Sequence, residues 1–147
     1  MLQFNGGCHC GNISVVYKTT ISPTDAVPRS CQCSFCRKHV TRAVSDPLGN
    51  VAITVTNSAR LSRYQFSTKT TEFLVCSTCG VYVSAYMPDG DLAYANVMAN
   101  ALHERDAFGP GIATDLNRED EACKRERRRQ MWSPATLTIK DYGRQPF

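Results

Sequence analysis

Cys76-Ser77-Thr78-Cys79-Gly80-Val81-Tyr82-Val83-Ser84-Ala85-Tyr86-Met87-Pro88-Asp89-Gly90 sets the terms for the whole chain. Within it Val81, Val83, Ala85 and Met87 recur at every second position until Pro88-Asp89-Gly90, the period of a strand buried on one face and closed by a turn. The strand is entered through two cysteines and a glycine. Outward from this stretch the same short-strand pattern repeats. Thr70 to Val75 leads into Cys76, and Leu92 to Val97 follows the turn. Upstream, Ile13 to Tyr17 is β-branched and aromatic, and Val51, Ile53 and Val55 alternate with Ala52, Thr54 and Thr56. Leu61 to Phe66 comes next after Asn57-Ser58, predicting a hairpin over 51–66. Leu137 and Ile139 return to the sheet near the end. Turn signals about every ten residues, with no helical stripe before position 114, predict an all-β sandwich or partly open barrel of short antiparallel strands. Two peripheral helices are expected, one after Cys36 through Val44 and one from Asp115 to Gln130, with Asp115 as its N-cap.

The chain has 147 residues, 42% apolar and 20% charged, which predicts a single domain over 1–147 with a real core. No run is apolar and long enough to span a membrane. Met1 to Gly7 lacks the basic and apolar regions of a secretory signal. The expected location is the cytosol, with the nucleus as the alternative.

Eight cysteines are many for a reducing compartment, where disulfides seldom persist. Seven fall in three clusters: Cys8-His9-Cys10, then Cys31-Gln32-Cys33-Ser34-Phe35-Cys36, then Cys76 and Cys79. Such close spacing disfavours mutual disulfides and suits metal ligation. A secreted disulfide framework would call for a signal peptide. Tetrahedral zinc takes four ligands at a structural site and commonly three, with an open position, at a catalytic one. Seven divides as four plus three. Cys8, Cys10, Cys76 and Cys79 form a closed set at the ends of separate strands, with Gly11 and Gly80 permitting the turns that aim backbone N–H groups at sulfur. Cys31, Cys33 and Cys36 converge from one loop and leave a position for water or a substrate's sulfur. The competing reading completes this second set with His39 or Cys123 as another structural site.

The formal charge of +4 assumes neutral thiols. Seven thiolates with two zinc ions lower it to about +1, so basicity is weak evidence for nucleic acid. What remains is local. Ten of the twelve residues from Arg118 to Arg129 are charged, six basic and four acidic, and 114–131 is expected to be an exposed insertion.

Gly6-Gly7-Cys8-His9-Cys10-Gly11-Asn12-Ile13, Cys31 through Lys38, and Cys76 through Gly80 together resemble the family of glutathione-dependent formaldehyde-activating enzymes and centromere protein V. The resemblance covers about positions 4 to 100. It implies an Mss4-like all-β fold, a structural zinc on Cys8, Cys10, Cys76 and Cys79, and a catalytic zinc on Cys31, Cys33 and Cys36. It further implies carbon–sulfur lyase chemistry on a small thiol adduct derived from glutathione, such as S-hydroxymethylglutathione. Cations beside such a centre help to hold a thiolate and meet glutathione's carboxylates, which nominates Arg37 and Lys38, with Arg29 and Arg42 close in sequence. His39 is the candidate proton shuttle because imidazole titrates near neutrality, with Asp46 or a zinc-bound water as substitutes. The alternative function is a non-enzymatic, zinc-scaffolded binding module, for which the run 118–129 would be the contact surface. Its interleaved Glu119, Asp120, Glu121 and Glu126 argue against a phosphate-binding stripe.

Overall fold

The computed structural model describes residues 1–115 and 119–141. Along the chain lie β1 (Leu2–Gly7), β2 (Ile13–Thr19), β3 (Arg29–Cys31), α1 (Ser34–His39), β4 (Ala43–Val44), β5 (Asn50–Val55) and β6 (Leu61–Tyr64). After them come β7 (Glu72–Cys76), β8 (Tyr82–Asp89), β9 (Leu92–Ala95), β10 (Val97–Met98), β11 (Ile112–Thr114), α2 (Glu121–Met131) and β12 (Ser133–Ile139). One sheet runs β1-β2-β5-β12-β9-β8-β7-β6 and the other β10-β4-β3-β11. A single apolar core joins them, with Ile13, Val15, Ile53, Leu74, Met87, Val97 and Leu102 fully buried.

Period-two patterning builds the centre as expected. Ile13, Val15 and Tyr17 of β2 point inward and meet Val55, Ile53 and Val51 of β5 as direct cross-strand pairs. Such pairs are the unit of sheet stabilisation. In β8 the alternation breaks at Tyr82, which is buried although it is out of phase with Val83 and Ala85. The register between β7 and β8 shifts at Leu74/Val75, and a bulge of this kind re-aims side chains next to a site.

Three expectations are corrected. The hairpin over 51–66 does not form. β5 has β2 on one edge and β12 on the other, the latter pairing in parallel with Leu137 opposite Ile53, so no edge remains for β6, which pairs with β7. The side chain of Asn57 caps a 3₁₀ turn over Ser58–Arg60 and turns the chain away. A second parallel pair, β11 with β3, joins the otherwise antiparallel arrangement. Helix α1 begins before Cys36, because Cys33 is its N-cap and accepts from the Cys36 amide at 3.3 Å. It ends at Val40, whose φ of 48° is unusual for a β-branched residue. Helix α2 starts at Glu121 with Asp120, not Asp115, as N-cap, accepting from the Cys123 amide at 2.8 Å. Residues 116–118 of the expected helix lie outside the described residues.

Asp46 is a scaffold residue. Its carboxylate accepts from the Thr19 hydroxyl at 2.9 Å, the Thr20 amide and hydroxyl at 2.7 Å each, and the Leu48 amide at 2.9 Å. Its own amide donates to Ser133 Oγ at 2.9 Å. These bonds join the segment after β4 to β2 and β12, and they leave Asp46 no capacity for proton transfer at a distant site.

Candidate metal centres

The turn between β1 and β2 carries Cys8 and Cys10, and the turn between β7 and β8 carries Cys76 and Cys79. Both turns close in the same way: Cys8 N–H donates to Ile13 O at 2.9 Å, and Cys76 N–H to Val81 O at 3.1 Å. Each needs a residue of positive φ, supplied by Gly11 at 86° and Gly80 at 79°. The glycine amides serve the turns themselves, donating to Cys8 O and Cys76 O. Other amides reach sulfur, among them those of Ile13, to Cys8 Sγ at 3.2 Å, and Cys79, to Cys76 Sγ at 3.5 Å. The Arg60 guanidinium adds a contact to Cys10 Sγ at 3.4 Å.

These four sulfurs lie within 4.8 Å of one another, close enough to hold one metal ion. Cys10 Sγ is 3.5 Å from Cys76 Sγ and 3.8 Å from Cys8 Sγ. Their acidities are spread apart. Burial pushes the Cys8 thiol up to about 12. Against the same effect, amide donors from Cys10 and Val81 hold Cys79 down at about 6. Four thiolates cannot crowd together without a cation, and this donor set is of the kind that holds a metal ion.

Cys31 at the end of β3, Cys33 at the head of α1 and Cys36 one turn into that helix form a second set, again within 4.8 Å. The Cys33 carbonyl accepts the Arg37 amide at 3.0 Å, so the loop enters the helix under its own capping bonds. Hydrogen bonds from Cys31 and Cys36 pull Cys33 well down, and the same bonds raise Cys31 and Cys36. Charge therefore concentrates on one sulfur unless a cation lets all three ionise. Neither His39 nor Cys123 joins this set among the described residues.

What separates the two sets is their surroundings. All three cysteines of the second set line a cavity, and none of the first four does. The cavity holds about 140 Å³, some ten times the space one water needs. Phe66, Phe73, Tyr82, Met98 and Trp132 make its apolar walls, with Arg29, Asn96, Lys124, Arg127 and Arg128 as polar and cationic groups. Phe35 braces the wall, its ring 4.6 Å from Phe73 and 5.1 Å from Tyr82. The Tyr82 pKa is held well above its ordinary value, first by burial and then by the neighbouring Cys36, Cys33 and Cys31, so its phenol stays protonated.

Arg37, Lys38 and His39 stand outside the cavity lining, exposed on the last turn of α1. The imidazole of His39 packs on Phe35 at 4.4 Å and on Tyr82 at 5.5 Å. Arg42 is committed elsewhere, donating to Asn100 Oδ1, Phe108 O and Gly109 O. Cys123 is exposed on α2.

The cations that do reach the cavity come from β3 and from α2. The charged run is exposed along most of its length, yet Arg128 is only 9% exposed. It donates to Thr70 Oγ1 at 2.6 Å and lies 4.9 Å above the Trp132 ring. The signal for this was present: the chain's one tryptophan stands four residues after Arg128, the spacing that stacks two side chains on one helical face.

An all-β scaffold holding two thiolate-rich clusters, one closed and one open to a cavity, defines a class of metal-binding β proteins. The chain belongs to the glutathione-dependent formaldehyde-activating enzyme family, which matches residues 3–116. It is also similar to the crystal structure of a Rhodobacter sphaeroides protein solved in structural genomics, with 30% identity and a TM-score of 0.55. That match covers 75% of this chain and 99% of the other. No curated protein matches the chain. Helix α2 and strand β12 lie beyond the family-matched residues.

Proposed function

We propose that the chain is one zinc-dependent domain that acts as a carbon–sulfur lyase on a glutathione adduct such as S-hydroxymethylglutathione. In this reading Cys8, Cys10, Cys76 and Cys79 hold a structural zinc, and Cys31, Cys33 and Cys36 hold a catalytic one. The observation that carries it is the contrast in access: of the two sulfur sets among the described residues able to hold metal, the three-cysteine set lines the cavity and the four-cysteine set does not line it. A zinc bound there would supply Lewis-acid stabilisation of the substrate's sulfur as a thiolate.

The chain's own residues do the rest. Phe66, Phe73, Tyr82 and Trp132 give the cavity apolar walls, beside which electrostatic contacts are stronger than in bulk water. Arg29 and Arg128 offset the negative charge that accumulates as sulfur departs. When the hemithioacetal collapses, its C–S bond breaks, the hydroxyl proton passes to solvent water and formaldehyde is released with the thiolate of glutathione. Tyr82 stays protonated and can only donate a hydrogen bond, so it steadies developing negative charge and does not take up the hydroxyl proton. His39 reaches this centre through its contacts with Phe35 and Tyr82, and Arg37 and Lys38 stay exposed outside the cavity lining.

The cavity favours the enzyme over the binding module, whose contact surface would be the outer face of α2. That face is occupied by its own ion pairs, Arg125 with Glu121 and Arg129 with Asp89 and Glu126. The test is the rate at which zinc-loaded protein equilibrates glutathione and formaldehyde with their adduct, against the uncatalysed rate. Acceleration by wild type that disappears in Cys33→Ser supports the lyase; no acceleration leaves the scaffold.

A further inference from the structure

The other three arginines of α2 each have an acidic partner. Arg125 is 3.7 Å from Asp89, Arg127 is 2.8 Å from Glu119, and Arg129 is 2.7 Å from Asp89. The one arginine that the helix buries has none among the described residues. Arg128 spends one nitrogen, Nη1, on Thr70 Oγ1. Its Nε is buried with no hydrogen-bond partner. The Nε–Nη2 edge of the guanidinium is therefore uncommitted, and the side chain lines the cavity above the three cysteines.

A buried charge without an ion-pair partner is costly, and the face of Trp132 and the longer-range attraction of Glu119 offset only part of that cost. A second cation of the same cavity, Arg29, likewise has no carboxylate partner among the described residues and donates to Ser45 Oγ at 2.7 Å. The cysteine cluster supplies negative charge at one end only. A free Nε–H beside a free Nη2–H is the side-on fork that takes the two oxygens of a carboxylate in parallel.

We propose that Arg128, supported by Arg29, forms a carboxylate subsite in the three-cysteine cavity, so that α2 selects ligands carrying an anionic group as well as sulfur. Helix α2, which carries Arg128, lies outside the family-matched residues, while Arg29 lies within them. It rests on the lyase reading only for the sulfur end of the ligand. The carboxylate can belong to the glutathione backbone or to the carbonyl compound attached to its sulfur.

Calorimetric titration of the zinc-loaded full chain tests the subsite without turnover. Three probes suffice: S-methylglutathione, its diethyl ester, and the diethyl ester of S-carboxymethylglutathione, whose single carboxylate sits on the sulfur substituent. Wild type is expected to bind at least one of the two acids about tenfold more tightly than the S-methyl diester, and which acid it prefers identifies the carboxylate's source. Arg128→Gln lowers affinity for the preferred acid about tenfold and so removes that preference, with a much smaller change for the diester, which carries no carboxylate. Arg128→Lys keeps the charge but not the fork and retains only part of the preference; it carries the comparison if the glutamine variant fails to fold. Equal binding of acids and diester by wild type, binding of none of them, or an unchanged preference in both variants overturns the subsite. Turnover of S-hydroxymethylglutathione is measured separately. A carboxylate preference without turnover removes the lyase and keeps the subsite, and turnover without the preference does the reverse.

Discussion

The two cysteine clusters use the same ligand atom in opposite settings. The four-cysteine set joins two strand turns far apart in the chain, receives amide hydrogen bonds from Ile13 and Cys79, and stands apart from the cavity that the other set lines. The three-cysteine set comes from six consecutive residues, is ordered by its own helix cap, and looks into an apolar chamber with cations. A cross-link between distant segments contributes to folding, because the unfolded chain cannot preform it. A local cluster adds little to the fold and keeps its reactivity. The difference teaches that cysteine count alone does not assign a role: chain separation and access do.

The largest effect should come from breaking the distant cross-link. Structural zinc in small domains contributes roughly 10–16 kcal/mol, more than most domains have in total. Cys8→Ser should therefore leave no cooperative thermal transition near that of wild type. A variant that melts within a few degrees of wild type would place the fold's stability elsewhere.

Cys33→Ser should do the reverse. Serine is a good N-cap, so α1 and the core persist, while one metal equivalent is lost and adduct turnover falls by about a hundredfold or more. Zinc analysis and kinetics on the same sample check this. A large drop in melting temperature here would erase the distinction between the clusters.

Asp46→Asn touches neither cluster and calibrates plain scaffold damage. Burial raises the Asp46 carboxyl, but the donors from Thr20, Leu48 and Thr19 outweigh it and hold the group below the usual carboxylate range. A lowered folded pKa means the stabilisation is fully present above about pH 4 and is lost as pH falls through the folded value. The variant should lose about 1–3 kcal/mol at pH 7, with the gap to wild type closing in acid, as read by denaturant midpoints across pH. Both metals and turnover should survive at neutral pH.

Gly80→Ala probes the four-cysteine turn more gently. An added Cβ would meet nothing within 4 Å, so only the φ of 79° is penalised, at about 1–2 kcal/mol. Metal content should stay unchanged. The smallest effect is expected from Arg37→Ala and Lys38→Ala, since both side chains are exposed and outside the cavity. A change in KM beyond about twofold would bring α1's last turn into substrate contact.

Much of this was legible in the sequence, for identifiable reasons. Alternation wrote β2 and β5 directly, and Cys-x-Cys with Cys-x-x-Cys spacing wrote both clusters. The parallel pairing of β5 with β12 was not legible, because no local pattern records a partner more than 80 residues away. The local sequence therefore suggested the wrong neighbour, β6. Tyr82 was hidden by a bulge that breaks the two-residue period. Arg128 was hidden by company: inside a run of ten charges it reads as surface, and its burial depends on Thr70 and Trp132 coming together only in the fold.

The claim that the clusters divide structure from chemistry is tested most directly by stepwise metal removal. Zinc-loaded protein is titrated with a chelator while released zinc, adduct turnover and circular dichroism are followed together. The account predicts two phases. The first equivalent leaves with the activity while the β signal holds, and the second leaves with the fold. Release of both equivalents together, or loss of the fold with the first, would contradict it.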